Sequence, residues 1–100
     1  MVKTNLCNAI KNRQQISMHY KGQVRIIDPY LIGITKAGNE TLRAYQTGGY
    51  SESGGLPAWR LFDLRYISGI EILDKSFEIH PQYNPNDKGM VQISCRVENL

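Results

Sequence analysis

A chain of 100 residues has the length of one compact domain, and 41% hydrophobic with 21% charged residues excludes a disordered, low-complexity polypeptide. No apolar run approaches the roughly 20 residues that span a bilayer, and Met1-Val2-Lys3-Thr4-Asn5 begins no signal-peptide core, so a cytoplasmic location is expected. Twelve Lys and Arg against nine Asp and Glu give a net charge of +3, a mild bias towards anionic partners.

In chain order, Thr4 or Asn5 is a candidate cap for a short helix reaching about Arg13. Leu6, Ala9, Ile10 and Arg13 recur on one of its faces. Ile16, Met18 and Tyr20 alternate with Ser17 and His19, which predicts a half-buried strand, and Lys21-Gly22 is a turn. Val24 to Asp28 reads as a second strand, ended by Pro29, which has no N–H to donate. Tyr30 to Thr35 and Glu40 to Gln46 read as a hairpin joined by Lys36-Ala37-Gly38-Asn39. Thr47 to Pro57, with four glycines around Tyr50 and the hydroxyl residues Thr47, Ser51 and Ser53, is expected as a mobile surface loop. Ala58 to Asp63 and Ile67 to Leu73 are further strands, His80 to Gly89 is a second loop, and Met90 to Val97 a final strand.

One helix followed by about seven short strands predicts a mainly β fold, a small antiparallel β-barrel with one N-terminal helix. The expected division is a helix over 1–14, a barrel core over 15–73, and a C-terminal loop and strand over 74–100, all in one domain. Leu6, Ile10, Met18, Ile26, Leu42, Leu61, Ile67 and Ile70 are the predicted core. Cys7 and Cys95, at opposite ends of the chain, are expected as reduced, partly buried thiols.

Read as a string, residues 9–73 resemble the WYL family. The match is carried by Ala9-Ile10, Ile16-Ser17-Met18-His19-Tyr20, Arg25 and Asp28-Pro29-Tyr30, and then by Gly38 before the family's namesake strand. The Trp-Tyr-Leu of that strand is Glu40-Thr41-Leu42 here, and Ala44-Tyr45 follows in pattern. Arg60-Leu61-Phe62-Asp63-Leu64-Arg65-Tyr66-Ile67 is similar to the family's Arg-x-Phe-x-Leu-x-Arg-Ile, with Tyr66 at the place of the second arginine. The resemblance implies an SH3-like or Sm-like barrel. It also implies a regulatory module, in prokaryotic transcription control or defence, here standing alone without the usual N-terminal helix-turn-helix domain.

The candidate ligand-binding residues are Tyr20, Arg25, Arg43, Tyr45, Tyr50, Arg60 and Arg65. Guanidinium groups on phosphates with rings under bases are the combination that holds single-stranded nucleic acid. Tyr20 and Phe62 have an alternative place in the core. The arginines have one as rim partners of Asp28, Asp63 or Glu71. Trp59 either stacks on a base or closes the core against Leu61, and Tyr50 is a candidate lid. His19, His80, Cys7 and Cys95 lack zinc-site spacing, so no metal is expected. No nucleophile has a base partner, and Gly48-Gly49 with Gly54-Gly55 lack the lysine of a P-loop, so neither cofactor nor catalysis is expected. The function expected is ligand sensing or binding of a single-stranded nucleic acid or nucleotide-like anion. The alternative is a protein-interaction or oligomerisation barrel, a homo-oligomer or part of a larger regulatory protein, with Met90–Val97 as its exposed edge.

Overall fold

Helix α1 spans Val2–Lys11 in the computed structural model, which describes residues 1–52 and 54–98. Met1 precedes it and no side chain caps it, so Thr4 and Asn5 lie within the helix rather than before it. Its three- and four-residue spacing does what the pattern predicts: Leu6, Ala9 and Ile10 are buried. Arg13, at φ +50°, ends it, its N–H bonded to the Ile10 carbonyl.

Six strands follow: β1 Gln14–Tyr20, β2 Gln23–Ile34, β3 Glu40–Gly49, β4 Ala58–Asp63, β5 Ile67–Ser76 and β6 Gln92–Arg96. They form one antiparallel sheet in the order β4-β3-β2-β1-β5, with β6 on β2. The fold is therefore mainly β with one N-terminal helix. A 3₁₀ turn, Leu64–Tyr66, rather than a ladder links the two end strands β4 and β5.

The β1–β2 hairpin turns at Lys21 and Gly22, both at positive φ (51° and 81°), between the paired Tyr20 and Gln23. That is the two-residue turn whose twist matches antiparallel strands. Pro29 does not end a strand: the two predicted strands around it are one. β2 pairs with β1 through Ile27 and with β6 from Leu31, and its pairing with β3 slips between Pro29 and Leu31. A proline at a bulge, where the neighbour changes, leaves no ladder donor missing. This merger reduces the predicted seven strands to six.

The predicted glycine loop is also shorter than expected, because β3 continues through Thr47, Gly48 and Gly49. Gly49 needs to be glycine. It sits at φ +83°, opposite Arg25, and a Cβ there would lie 2.8 Å from the Arg25 Cα. The connection then runs from Tyr50 to Pro57, with Ser53 outside the described residues.

Leu6, Ile10, Ile16, Met18, Ile27, Ile32, Leu42, Phe62 and Ile67 belong to one core cluster, which Tyr83, Met90 and Val97 of the C-terminal segment also join. Two predicted core residues do not. Leu61 is 47% exposed, and Ile26 gives its place to Ile27. Pairing decides both: Phe62 lies opposite buried Leu42, so Leu61 points to the other side of the sheet, and Ile27 lies opposite buried Gln46. Ile70 is only partly buried against the core. The cysteines are not reduced thiols. Cys7 of α1 and Cys95 of β6 form a disulfide, Cα atoms 5.9 Å apart, which ties the helix to the last strand. Among the described residues no helix is long and apolar enough to cross a membrane.

Candidate functional site

The strand registers split the predicted binding residues between two sides of the sheet. Arg60 and Phe62 oppose Ala44 and Leu42, so they share the core side, whereas Tyr45 and Arg43 oppose Trp59 and Leu61 on the outer side. Arg25 joins the first group, since its guanidinium reaches the Phe62 ring.

On the core side, at the end of the sheet near the Lys21-Gly22 turn, four predicted residues meet: Tyr20, Arg25, Tyr50 and Arg60. The Arg25 guanidinium lies 5.2 Å from the Tyr50 ring centroid, 5.4 Å from Tyr20 and 5.8 Å from Phe62. Tyr20 meets Phe62 edge to face at 4.9 Å, and its hydroxyl accepts the Asp63 N–H. Tyr20 is thus a half-buried bridge between core and surface, while Phe62 is core. Tyr20, Lys21, Arg25, Ser51, Glu52 and Arg60 line a cleft of about 280 Å³ here. Lys21 lies 5.1 Å above the Tyr66 ring, so three cations face one carboxylate.

The loop from Tyr50 is held to this cleft. Gln46, fully buried, donates from Nε2 to the Gly48 and Tyr50 carbonyls at 2.9 and 2.8 Å. Arg60 Nη2 donates to Ser51 Oγ at 3.0 Å and the Gly54 carbonyl at 3.3 Å. Tyr50 therefore sits over Arg25 as part of an anchored loop. Two buried polar atoms make no hydrogen bond among the described residues, the donor Arg25 Nε and the acceptor Gln46 Oε1. Groups of this kind are rare in native interiors and cost free energy unless something meets them.

Arg65 stands one ring away. It lies 5.4 Å from the Tyr66 centroid and forms a forked pair with Asp63, Nη2 to Oδ2 at 2.8 Å. The Arg65 side chain and then its backbone N–H, both bonded to Asp63, hold that carboxyl below the usual carboxylate range. Arg65 thus carries a carboxylate of its own.

Arg43 and Tyr45 do not join the cleft. Arg43 makes a two-pronged pair with Asp87 of the second loop, at 2.8 and 3.2 Å. Burial alone would push the Asp87 carboxyl up. The Arg43 bonds, the Gly89 N–H and the Arg43 charge outweigh it and hold it below the usual range. Tyr45 packs against Trp59 at 5.1 Å and His80 at 4.6 Å. Trp59 also meets buried Tyr30 at 4.9 Å and donates to Gln82, so it packs against the core, the second of its two expected places, and does not line the cleft. Tyr30 continues the layer to Phe77 and Tyr83, and burial pushes the Tyr83 phenol up to about 12. Of the four predicted arginines, Arg25 and Arg60 therefore line the cleft, Arg65 stands beside it on Asp63, and Arg43 is a structural clamp on the second loop. Lys21 and Ser51 belong to the cleft and were not among the predicted residues. Lys21 stood in view as a cation in the turn beside Tyr20.

No protein-family model matches the chain, and no curated protein matches it. Among solved structures it is similar in fold to proteasome accessory factor B/C (PafBC) of Arthrobacter aurescens, with a TM-score of 0.67 at 22% identity. The match covers 84% of this chain and 13% of that one, so this chain spans a small part of that protein's length. The likeness is one of fold.

Proposed function

We propose that the chain is a regulatory binding module that takes a single-stranded nucleic acid or nucleotide-like anion at the Arg25–Arg60 cleft. One observation carries the reading: the Arg25 guanidinium rests among three aromatic rings while its buried Nε has no partner among the described residues. Rings around a guanidinium hold it in place without using its N–H donors, and Arg25 lines the cleft. Lys21 and Arg60 bring further positive charge, and Tyr20 and Tyr50 are ring faces beside it. Phosphate next to base is the ligand chemistry that uses both. An accessory role, in keeping with the name of the structural neighbour, completes the proposal. No catalytic step or cofactor is assigned to the chain.

The test is charge reversal. Arg60→Glu places a carboxylate where a phosphate would sit, and it removes a charge-assisted bond of about 1.5–3 kcal/mol. Binding of a labelled single-stranded oligonucleotide should weaken by about tenfold or more. Lys36→Glu, at an exposed hairpin position, changes net charge equally and should have a much smaller effect. Equal losses would leave diffuse electrostatics and no site. A protein-interaction reading gains from β6, which pairs only with β2 among the described strands, and from exposed Val91 beside it. It becomes the better reading if no nucleic acid or nucleotide binds.

A further inference from the structure

The outer side of the sheet carries a second concavity whose chemistry is the reverse of the arginine cleft. A groove of about 570 Å³ lies between Gln15, Asp28 and Tyr45 on one side and Lys75, Glu78 and His80 on the other. Its volume is that of a small-molecule site.

Asp28 is the unusual group. It lies in the middle of β2 and is only 9% exposed. Gln15 Nε2 donates to Oδ1 at 3.1 Å and reaches Thr47 Oγ1 at 3.4 Å, and no donor among the described residues bonds Oδ2. Burial pushes the Asp28 carboxyl above its usual range, offset in part by the Gln15 bond and the Lys75 charge. A carboxylate in this position costs stability, and a neutral side chain would avoid the cost. Buried polar groups of this kind, set in a cleft, mark candidate binding positions.

The walls are aromatic. Tyr45 and His80 pack at 4.6 Å, and the Tyr30 hydroxyl fixes the far wall by accepting the His80 N–H at 2.9 Å and donating to the Glu78 carbonyl at 3.2 Å. His80 Nδ1 accepts the Gln82 N–H at 3.0 Å, which fixes the ring against the turn that follows it. Asp28 and Glu78 against Lys75 leave the groove one negative charge, in a protein whose net charge is +3. A phosphate would meet two carboxylates here. A cation with N–H donors would meet an open carboxylate oxygen and ring faces.

We propose that this groove binds an organic cation, a guanidinium or alkylammonium group, through Asp28 and the faces of Tyr45 and His80. The proposal is independent of the nucleic-acid reading. Trp59, the single tryptophan, packs 5.1 Å from Tyr45 and 5.4 Å from His80, so its fluorescence reports on the groove wall.

The experiment titrates the full chain with N-acetyl-arginine amide and with its citrulline counterpart, which keeps the shape and loses the charge. Saturable quenching or enhancement by the arginine probe is expected, with the citrulline probe weaker by about tenfold or more. Asp28→Asn should weaken the arginine probe by a similar factor. Lys75→Gln should strengthen it, and Arg60→Glu should leave it unchanged, which separates this site from the oligonucleotide cleft. Butylammonium compared with butylguanidinium tells which cation fits better. A capped Gly-Arg-Gly peptide compared with agmatine tells a protein side chain from a free small cation. Should Asp28→Asn fail to fold, Glu78→Gln, at an exposed rim position, must weaken binding instead. Equal binding of the arginine and citrulline probes, full affinity in Asp28→Asn, or the absence of any saturable signal overturns the proposal, as does preferential binding of a nucleotide that survives Arg60→Glu.

Discussion

Replacing Phe62 and Leu61 by alanine, one at a time, measures the face of β4 directly. Phe62 is 2% exposed, opposes buried Leu42, and meets Tyr20 edge to face at 4.9 Å. Its loss removes a fully buried ring, leaves a cavity and breaks an aromatic pair, so Phe62→Ala should cost about 3–5 kcal/mol. Leu61 keeps 47% of its surface in water, so only about half of a leucine's burial is at stake, on the order of 1 kcal/mol. Urea unfolding followed by far-ultraviolet circular dichroism supplies both numbers, provided the m-value stays constant and the midpoint alone moves. For a domain of this size each kcal/mol corresponds to roughly 4–8 °C in Tm, so the two variants should differ clearly by heating as well. Phe62→Ala also takes one ring from beneath Arg25, and oligonucleotide binding should fall with it even where the protein remains folded. Equal costs at the two positions, or a larger cost at Leu61, would mean that β4 is paired one residue out of the register described, with Arg60 on the wrong side.

Two further outcomes concern what holds the frame. The Cys7–Cys95 disulfide closes a loop of sequence separation 88, for which chain entropy gives roughly 4–5 kcal/mol as an upper value. The double variant Cys7→Ser, Cys95→Ser should therefore lose about 2–4 kcal/mol in urea, and a loss below half of that lower figure would remove the bridge from the account. The Arg43–Asp87 clamp makes a pH prediction. Because the folded carboxyl lies below its unfolded range, its stabilisation is present above the unfolded pKa and is lost as the pH falls through the folded one. Asp87→Asn should be less stable than the parent by about 1.5–3 kcal/mol at neutral pH, with the gap closing below about pH 4. A gap that stays constant from neutral to acid pH would show that Asp87 acts through packing and not through its charge.

Local chemistry was readable from the residues, and long-range pairing was not. Ala58–Asp63 was delimited correctly, as was the Lys21-Gly22 turn, because alternation and turn residues are properties of adjacent positions. In Ala58 to Asp63, however, both Leu61 and Phe62 are apolar, so alternation alone serves either face. Only the partner strand decides between them. Ile26 and Ile27 posed the same choice. Pro29 was misread because the rule that proline ends a strand assumes a constant neighbour, and β2 exchanges β1 for β6 there. Within the site, Tyr20, Arg25, Tyr50 and Arg60 come together because each is close to one end of the sheet. Arg43 was assigned to them by its residue type. Its partner Asp87 is 44 positions away in a loop whose path no periodicity describes. The same holds for His80 beside Tyr45, and for the two cysteines, whose contact depends on how α1 lies against β6.

Arg25, held among Tyr20, Tyr50 and Phe62, is the group proposed to bind an anion, and the salt dependence of binding is the sharpest test of that role. The measurement is the affinity of a single-stranded oligonucleotide across a series of salt concentrations, for the parent chain and for Arg25→Gln. Each phosphate contact contributes about 0.7 to the slope of log affinity against log salt for single strands. The parent should show a slope corresponding to two or more contacts. In Arg25→Gln the slope should shrink by about one contact and affinity should fall by about tenfold or more, measured well below the melting temperature of the variant, which the lost ring contacts will lower. An unchanged slope in Arg25→Gln, or a parent chain whose binding does not depend on salt, would contradict the account.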